Sequence, residues 1–196
     1  MSLIPTEPKA YQATAESLQS TFHEQVVEHL FIAELLQEAW LRYDKVVEVM
    51  HSEVDAYGYD LILECQGIVR HIQLKTSKFD AATTYQKVGL ALGIKPSGCV
   101  VWIKRKRDPD FPRFQLSYLF FGNAPGQPLP DLLKKGLDEQ FKFPAATHTK
   151  PSKDGTYKIR EAIRQVKRAY FIPLGKGKEM TMAELFIQLF GPASAI

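Results

Sequence analysis

Four side chains stand out for the chemistry they could do together: Glu28, Asp60, Gln73 and Lys75. Three of them fall in the stretch Gly-Tyr-Asp-Leu-Ile-Leu-Glu-Cys-Gln-Gly-Ile-Val-Arg-His-Ile-Gln-Leu-Lys, residues 58–75. It reads as two strands, 59–65 and 68–75, rich in β-branched and aliphatic residues around a Gln66-Gly67 turn. With Gln66 and Gly67 as the two loop residues, antiparallel pairing sets opposite one another residues whose numbers sum to 133. Asp60 then faces Gln73, Leu61 faces Ile72, and Leu63 faces Arg70. Side chains alternate across a strand, so Asp60, Gln73 and Lys75 share one face while Leu61, Ile72 and Leu74 share the other. Lys75 falls opposite Gly58, which has no side chain to crowd it. Hard oxygen donors thus converge with a positive charge, a combination suited to a divalent cation and an anionic substrate group.

These residues need elements to hold them. Upstream, Thr21 and Glu24 form a capping-box pattern, and Val26, Val27, Leu30, Phe31, Leu35, Leu36, Ala39 and Trp40 repeat with helical periodicity. A helix is expected over 22–41, after an irregular lead-in over 1–12. On it Glu28 has Phe31, Ile32 and Leu35 at i+3, i+4 and i+7, inside an apolar stripe, whereas Glu34 beside Gln37 and Glu38 is expected to face water. A carboxylate on the buried side of a helix is costly unless paired or bound to a cation. Glu28 is therefore the anomalous acid of this helix.

Further along, 45–50 reads as a strand, 80–92 as a second helix, and 99–103 as a buried central strand. Lys104, Arg105, Lys106 and Arg107 begin a basic loop, and 114–121 is another strand. A short helix is expected around 131–137, a helix over 157–169, and an amphipathic helix over 181–190 stopped by Gly191-Pro192. That last helix, with Leu185, Phe186, Leu189 and Phe190, is read as packing on the chain's own core. The order of elements predicts an α/β sandwich on a mixed sheet.

Helix, hairpin with Asp, then Gln-x-Lys resembles the PD-(D/E)xK nuclease superfamily, the fold of restriction endonucleases and Holliday-junction resolvases. In that family the first helix carries a Glu, the second strand an Asp and the third strand an (E/Q)-x-K. Glu28 matches the helix acid, Asp60 in Gly-Tyr-Asp-Leu the central Asp, and Gln73-Leu74-Lys75 the last motif. The resemblance covers residues 22–80 and is nearest to bacterial members with a Gln at the first position of that motif. It implies a restriction-endonuclease-like three-layer sandwich, a central mixed β-sheet flanked by helices, in one domain spanning 1–196 with its core at 22–122 and a basic helical part at 131–196.

The same resemblance implies a Mg²⁺- or Mn²⁺-dependent nuclease acting on DNA. Asp60 would be the principal ligand, with the Gln73 side-chain oxygen, the Leu74 backbone carbonyl and Glu28 assisting. Phosphodiester hydrolysis needs an activated water and neutralisation of charge building in the transition state, and a divalent cation supplies both. Lys75 would orient the water and stabilise that charge. Position 73 is more often Glu in the family; Gln removes a negative charge, so a domain that keeps the fold and binds nucleic acid or a partner without cutting is the alternative. Each residue also has a plain structural role open to it: Asp60 as a turn cap, Lys75 as a solvated strand end, Gln73 as an edge residue bonded to backbone. Asp55 rivals Asp60, and His71 reads as a packed or exposed strand histidine.

At 196 residues, with 45 % hydrophobic and 24 % charged content, the chain can bury a sizeable core. No cationic flank precedes an apolar run at the N-terminus, and no stretch is long enough to span a bilayer, so a cytoplasmic protein with no membrane partner is expected. Cys65 and Cys99 have no metal-ligand spacing. Residues 1–103 carry 8 Lys and Arg against 13 Asp and Glu, whereas 104–196 carry 17 against 9. That lopsidedness favours a phosphate-binding surface beside a cation site. Its candidates are Lys104 to Arg107 and a helical stripe of Arg160, Arg164, Lys167 and Arg168. Homodimerisation or association with other proteins stays open.

Overall fold

A computed structural model describes residues 9–52, 57–135, 142–148, 150–152, 154–171 and 179–192, leaving aside the side chains of 9–18 and 20. Helix α1, Lys9–Tyr43, contains neither Gly nor Pro. Its buried stripe, Val27, Phe31, Leu35 and Ala39, repeats every fourth residue. The helix starts well before the expected residue 22. Residues 9–12 belong to it, and Thr21 and Glu24 lie in its interior, not at its start. Good helix formers without a breaker let it propagate N-terminally past the motif. It ends at Asp44, whose φ of 49° is left-handed and whose N–H takes the Trp40 carbonyl.

Five strands form a mixed sheet: β1 (Glu48–His51), β2 (Leu61–Cys65), β3 (Ile68–Lys78), β5 (Gly98–Arg107) and β6 (Phe114–Gly122), in the order β1-β2-β3-β5-β6. Only β3 and β5 run parallel. Between them the chain makes β4 (Tyr85–Gly89) and a 3₁₀ turn at Leu90–Ile94, not the helix expected over 80–92. With β7 (Ala145–Thr147) and β8 (Ile159–Lys167), β4 builds a second, antiparallel sheet in the order β4-β8-β7. The expected helix over 157–169 is therefore also a strand. The described part of the expected helix near 131 is a turn, and its remainder lies outside the described residues.

Two cores follow. Cys99, Val101 and Ile103 of β5 point to α1 and to helix α2 (Met182–Phe190), while Val100 and Trp102 point to the small sheet and meet Val88, Val166 and Phe171. The architecture is α/β with a mixed five-stranded sheet, helices on one face and a three-stranded sheet on the other. α2 forms as expected, one residue shorter at its start, and packs on the core through Leu185, Phe186, Leu189 and Phe190. Thr181 and Glu184 form a capping box at its start. At its end the buried Arg70 donates from Nε to the Leu189 carbonyl (2.6 Å) and from Nη2 to the Gln188 carbonyl (2.7 Å). No helix among the described residues is long and apolar enough to cross a membrane.

Candidate functional site

The β2–β3 hairpin has the expected register, Leu61 opposite Ile72 and Leu63 opposite Arg70. Gln66 and Gly67 take φ of 51° and 81°, the paired left-handed values that a tight two-residue turn requires. β2 starts only at Leu61, because the chain bends away at Gly58 (φ 69°), whereas β3 runs on to Lys78. Beyond Ile72 one edge of β3 therefore has no neighbouring strand among the described residues. Asp60 sits at that step: its N–H donates to the Ile72 carbonyl (2.8 Å), and its Oδ2 accepts from the Leu74 N–H (2.6 Å). The carboxylate thus takes the place of the next ladder partner. Because a residue's N–H and C=O leave a strand on the same side, the Leu74 carbonyl faces this open edge too.

A hollow of about 300 Å³ lies along the edge. Glu24 and Glu28 of α1, Asp60, Leu74 and Lys75 line it, and Gln86 of β4 closes it from the other sheet. Three carboxylates thus stand against one ammonium. Glu28 is half-buried, and the His51 ring Nε2 lies 3.1 Å from its Oε1, a pair that offsets part of the cost of a carboxylate on this helix face. Of the residues singled out in the sequence, Glu28, Asp60, Leu74 and Lys75 come together here.

Gln73 does not join them. It is buried, with its Nε2 toward Gly58, where a Cβ would lie 3.6 Å away. Its Oε1 has no hydrogen-bond partner among the described residues, which costs about 1–3 kcal/mol. His71 is packed, edge-on to Tyr59 (ring centroids 5.1 Å apart) with Nδ1 3.1 Å from the Pro96 carbonyl. Burial lowers its pKa below the usual histidine value, which keeps it neutral. Asp55 lies outside the described residues. Three hollow-lining residues escape the sequence reading, Thr76 among them. Glu24 was read as a cap, although its i, i+4 spacing to Glu28 sets both acids on one helix face. Gln86 was assigned to a helix that is a strand.

The basic residues divide. Lys104 to Arg107 are the end of β5 and not a loop, so they alternate in direction. Lys104 is wholly buried, its Nζ 5.3 Å from the Trp102 ring centroid and without a hydrogen-bond partner among the described residues, so it is no surface phosphate contact. Arg105, Lys106 and Arg107 reach the surface beside Lys78. The helical stripe of Arg160, Arg164, Lys167 and Arg168 does not form, because β8 is a strand and sends Arg164 and Lys167 to opposite faces. Arg164 is buried with Glu161 3.8 Å away, and Arg168 donates to Glu179 (2.7 Å).

Among the described residues no three His, Cys, Asp or Glu side chains gather closely enough to hold a metal ion by themselves. The donor set suits a different arrangement. Mg²⁺ keeps several waters and is bound through one or two carboxylates together with substrate phosphate oxygens, and Asp60 with Glu28 supplies that number. No family model, no curated protein and no solved structure matches the chain.

Proposed function

We propose that this chain is a metal-dependent nuclease of the restriction-endonuclease-like type, hydrolysing phosphodiester bonds of DNA with Mg²⁺ or Mn²⁺. The observation that carries the reading is the meeting of Asp60, Lys75 and Glu28, from three different elements, at one hollow on the open edge of β3. Their residue types match the Glu, Asp and x-Lys positions of the PD-(D/E)xK pattern.

Asp60 and Glu28 would hold the cation, with the Leu74 carbonyl on the same edge. When bound, a divalent ion supplies a Lewis acid and an acidified water at neutral pH. The chain's own residues do the rest. The Leu74 N–H fixes the direction of the Asp60 carboxylate. Lys75, half-buried and cationic, donates hydrogen bonds to the attacking water or to a phosphate oxygen and favours charge building there. Gln86 and Glu24 close the hollow from either side.

Asp60→Ala or Lys75→Ala, each folded by circular dichroism, is expected to lower Mg²⁺- or Mn²⁺-dependent cleavage of plasmid and oligonucleotide DNA by about 10²–10³-fold or more. Wild-type rates in the double variant would end the assignment. One observation favours a second reading, a domain of this fold that binds nucleic acid without cutting: Gln73 is a neutral amide at the position where the pattern more often has a carboxylate. Binding that weakens steeply with salt, with no cutting under any divalent ion, selects that reading.

A further inference from the structure

Just past the hollow, the ends of β3, β5 and β6 form a notch of about 350 Å³ that the proposed chemistry does not use. Lys78, Arg105, Lys106 and Arg107 line it against a single carboxylate, Asp80. None of these four cations has an ion-pair partner among the described residues. Two phenylalanine rings sit between them. Phe79 is 45 % exposed, with the Lys106 Nζ 5.9 Å from its centroid. Phe114 carries the Arg105 guanidinium carbon 5.3 Å from its own centroid.

Backbone pairing builds this interleaving. Lys78 is opposite Arg105 across the parallel β3–β5 pair, and Arg107 is opposite Phe114 across β5–β6. The Phe79 N–H donates to the Arg105 carbonyl (2.9 Å), which extends the pairing one residue past β3. Thr76 lines the hollow and Lys78 the notch, so the two adjoin along one strand, about 7 Å apart.

Cations alone suit any phosphate backbone. Exposed rings add something only for bases whose flat faces are free, and in a duplex those faces are stacked inside. We infer that the notch docks the unpaired bases of single-stranded DNA, its phosphates on Lys78, Lys106 and Arg107 and a base on Phe79 or on the Arg105 plane. This rests on the nuclease reading and narrows its substrate to DNA carrying a single-stranded tail or flap, led from the notch to the hollow.

The test is fluorescence anisotropy with labelled oligo-dT of about 15 nucleotides and a blunt duplex of equal length, in EDTA. Wild-type protein is expected to prefer the single strand. Phe79→Ala should weaken single-strand binding about tenfold and leave duplex binding unchanged, while Phe79→Trp retains it. Unchanged single-strand affinity in Phe79→Ala, or equal losses on both probes, overturns the inference. So does displacement by polyglutamate as effective as by unlabelled oligo-dT, which would make the notch a dock for an acidic protein segment. Because EDTA suppresses cleavage, the two proposals fail separately. Loss of cutting in Asp60→Ala with unmoved Phe79→Ala affinity sinks only the strand inference; the opposite pattern sinks only the nuclease.

Discussion

The hollow and the notch share one strand and differ in sign. At Leu74–Lys75, β3 is flanked by Glu24, Glu28 and Asp60; a few residues on, at Lys78–Phe79, it is flanked by Arg105, Lys106 and Arg107. The first region concentrates carboxylates where a strand edge is open, which attracts a cation and repels phosphate. The second concentrates cations and rings, which does the reverse. A surface that cuts a polyanion needs both, since the carboxylates that hold a metal would otherwise push the substrate away. On the proposed function, the neighbouring basic end of β3 would supply the compensation.

The largest expected break of that contrast is charge reversal in the notch. Lys106→Glu with Arg107→Glu, both exposed, should weaken DNA binding about a hundredfold at low salt and make the log K against log salt slope shallower by about 2 or more. Thermal stability should hardly move. An unaltered slope would mean that phosphate does not touch this end of β5.

A smaller effect is expected at the acidic end. Glu28→Gln keeps the shape and the His51 contact while removing one charge from the hollow. The Mg²⁺ concentration giving half-maximal cleavage should rise about tenfold, with single-strand binding in EDTA unchanged. An unmoved midpoint would assign Glu28 to its histidine pair alone.

How much of this was legible in the chain follows from which residues carry the signal. The hairpin register could be read because a Gln-Gly turn flanked by apolar alternation admits one pairing, and Asp60 and Lys75 followed from it. α2 could be read because its amphipathic pattern is stopped by Gly191-Pro192. The two false helices share a cause. Ile159, Ile163, Val166 and Tyr170 repeat at three- and four-residue intervals, as a helix stripe would, yet the face of β8 that packs inward is Arg164 and Val166. The small sheet forms because β5 and β6 bury a second face, with Trp102 and Phe121 needing cover, and no local pattern announces a tertiary demand of that kind. Gln73 shows the limit of register arguments. The ladder stops at Leu61 and Ile72, one pair short of Asp60 and Gln73, and Gln73 is buried beside Gly58.

The four consecutive cations at the end of β5 offer the finest test, because burial separates Lys104 from the three that follow it. Arg105 to Arg107 stand at the notch, while Lys104 points between the two sheets beside Trp102. Burial lowers the Lys104 pKa from its ordinary 10.5, and Arg168 adds to that, against the opposing pull of Glu179 and Asp80. Between the lowered folded value and 10.5 the unfolded chain binds more protons than the folded one. Stability therefore rises with pH across that window and is flat below it. Lys104→Met fills the same space without a charge. It should raise stability at neutral pH by about 1 kcal/mol, abolish the alkaline rise, and leave oligonucleotide affinity unchanged. Thermal melts at pH 7 and through the alkaline range, paired with anisotropy, read all three. A Met variant that melts lower and binds DNA more weakly would place Lys104 with the phosphate-facing cations and erase the division between the inside and the outside of this strand.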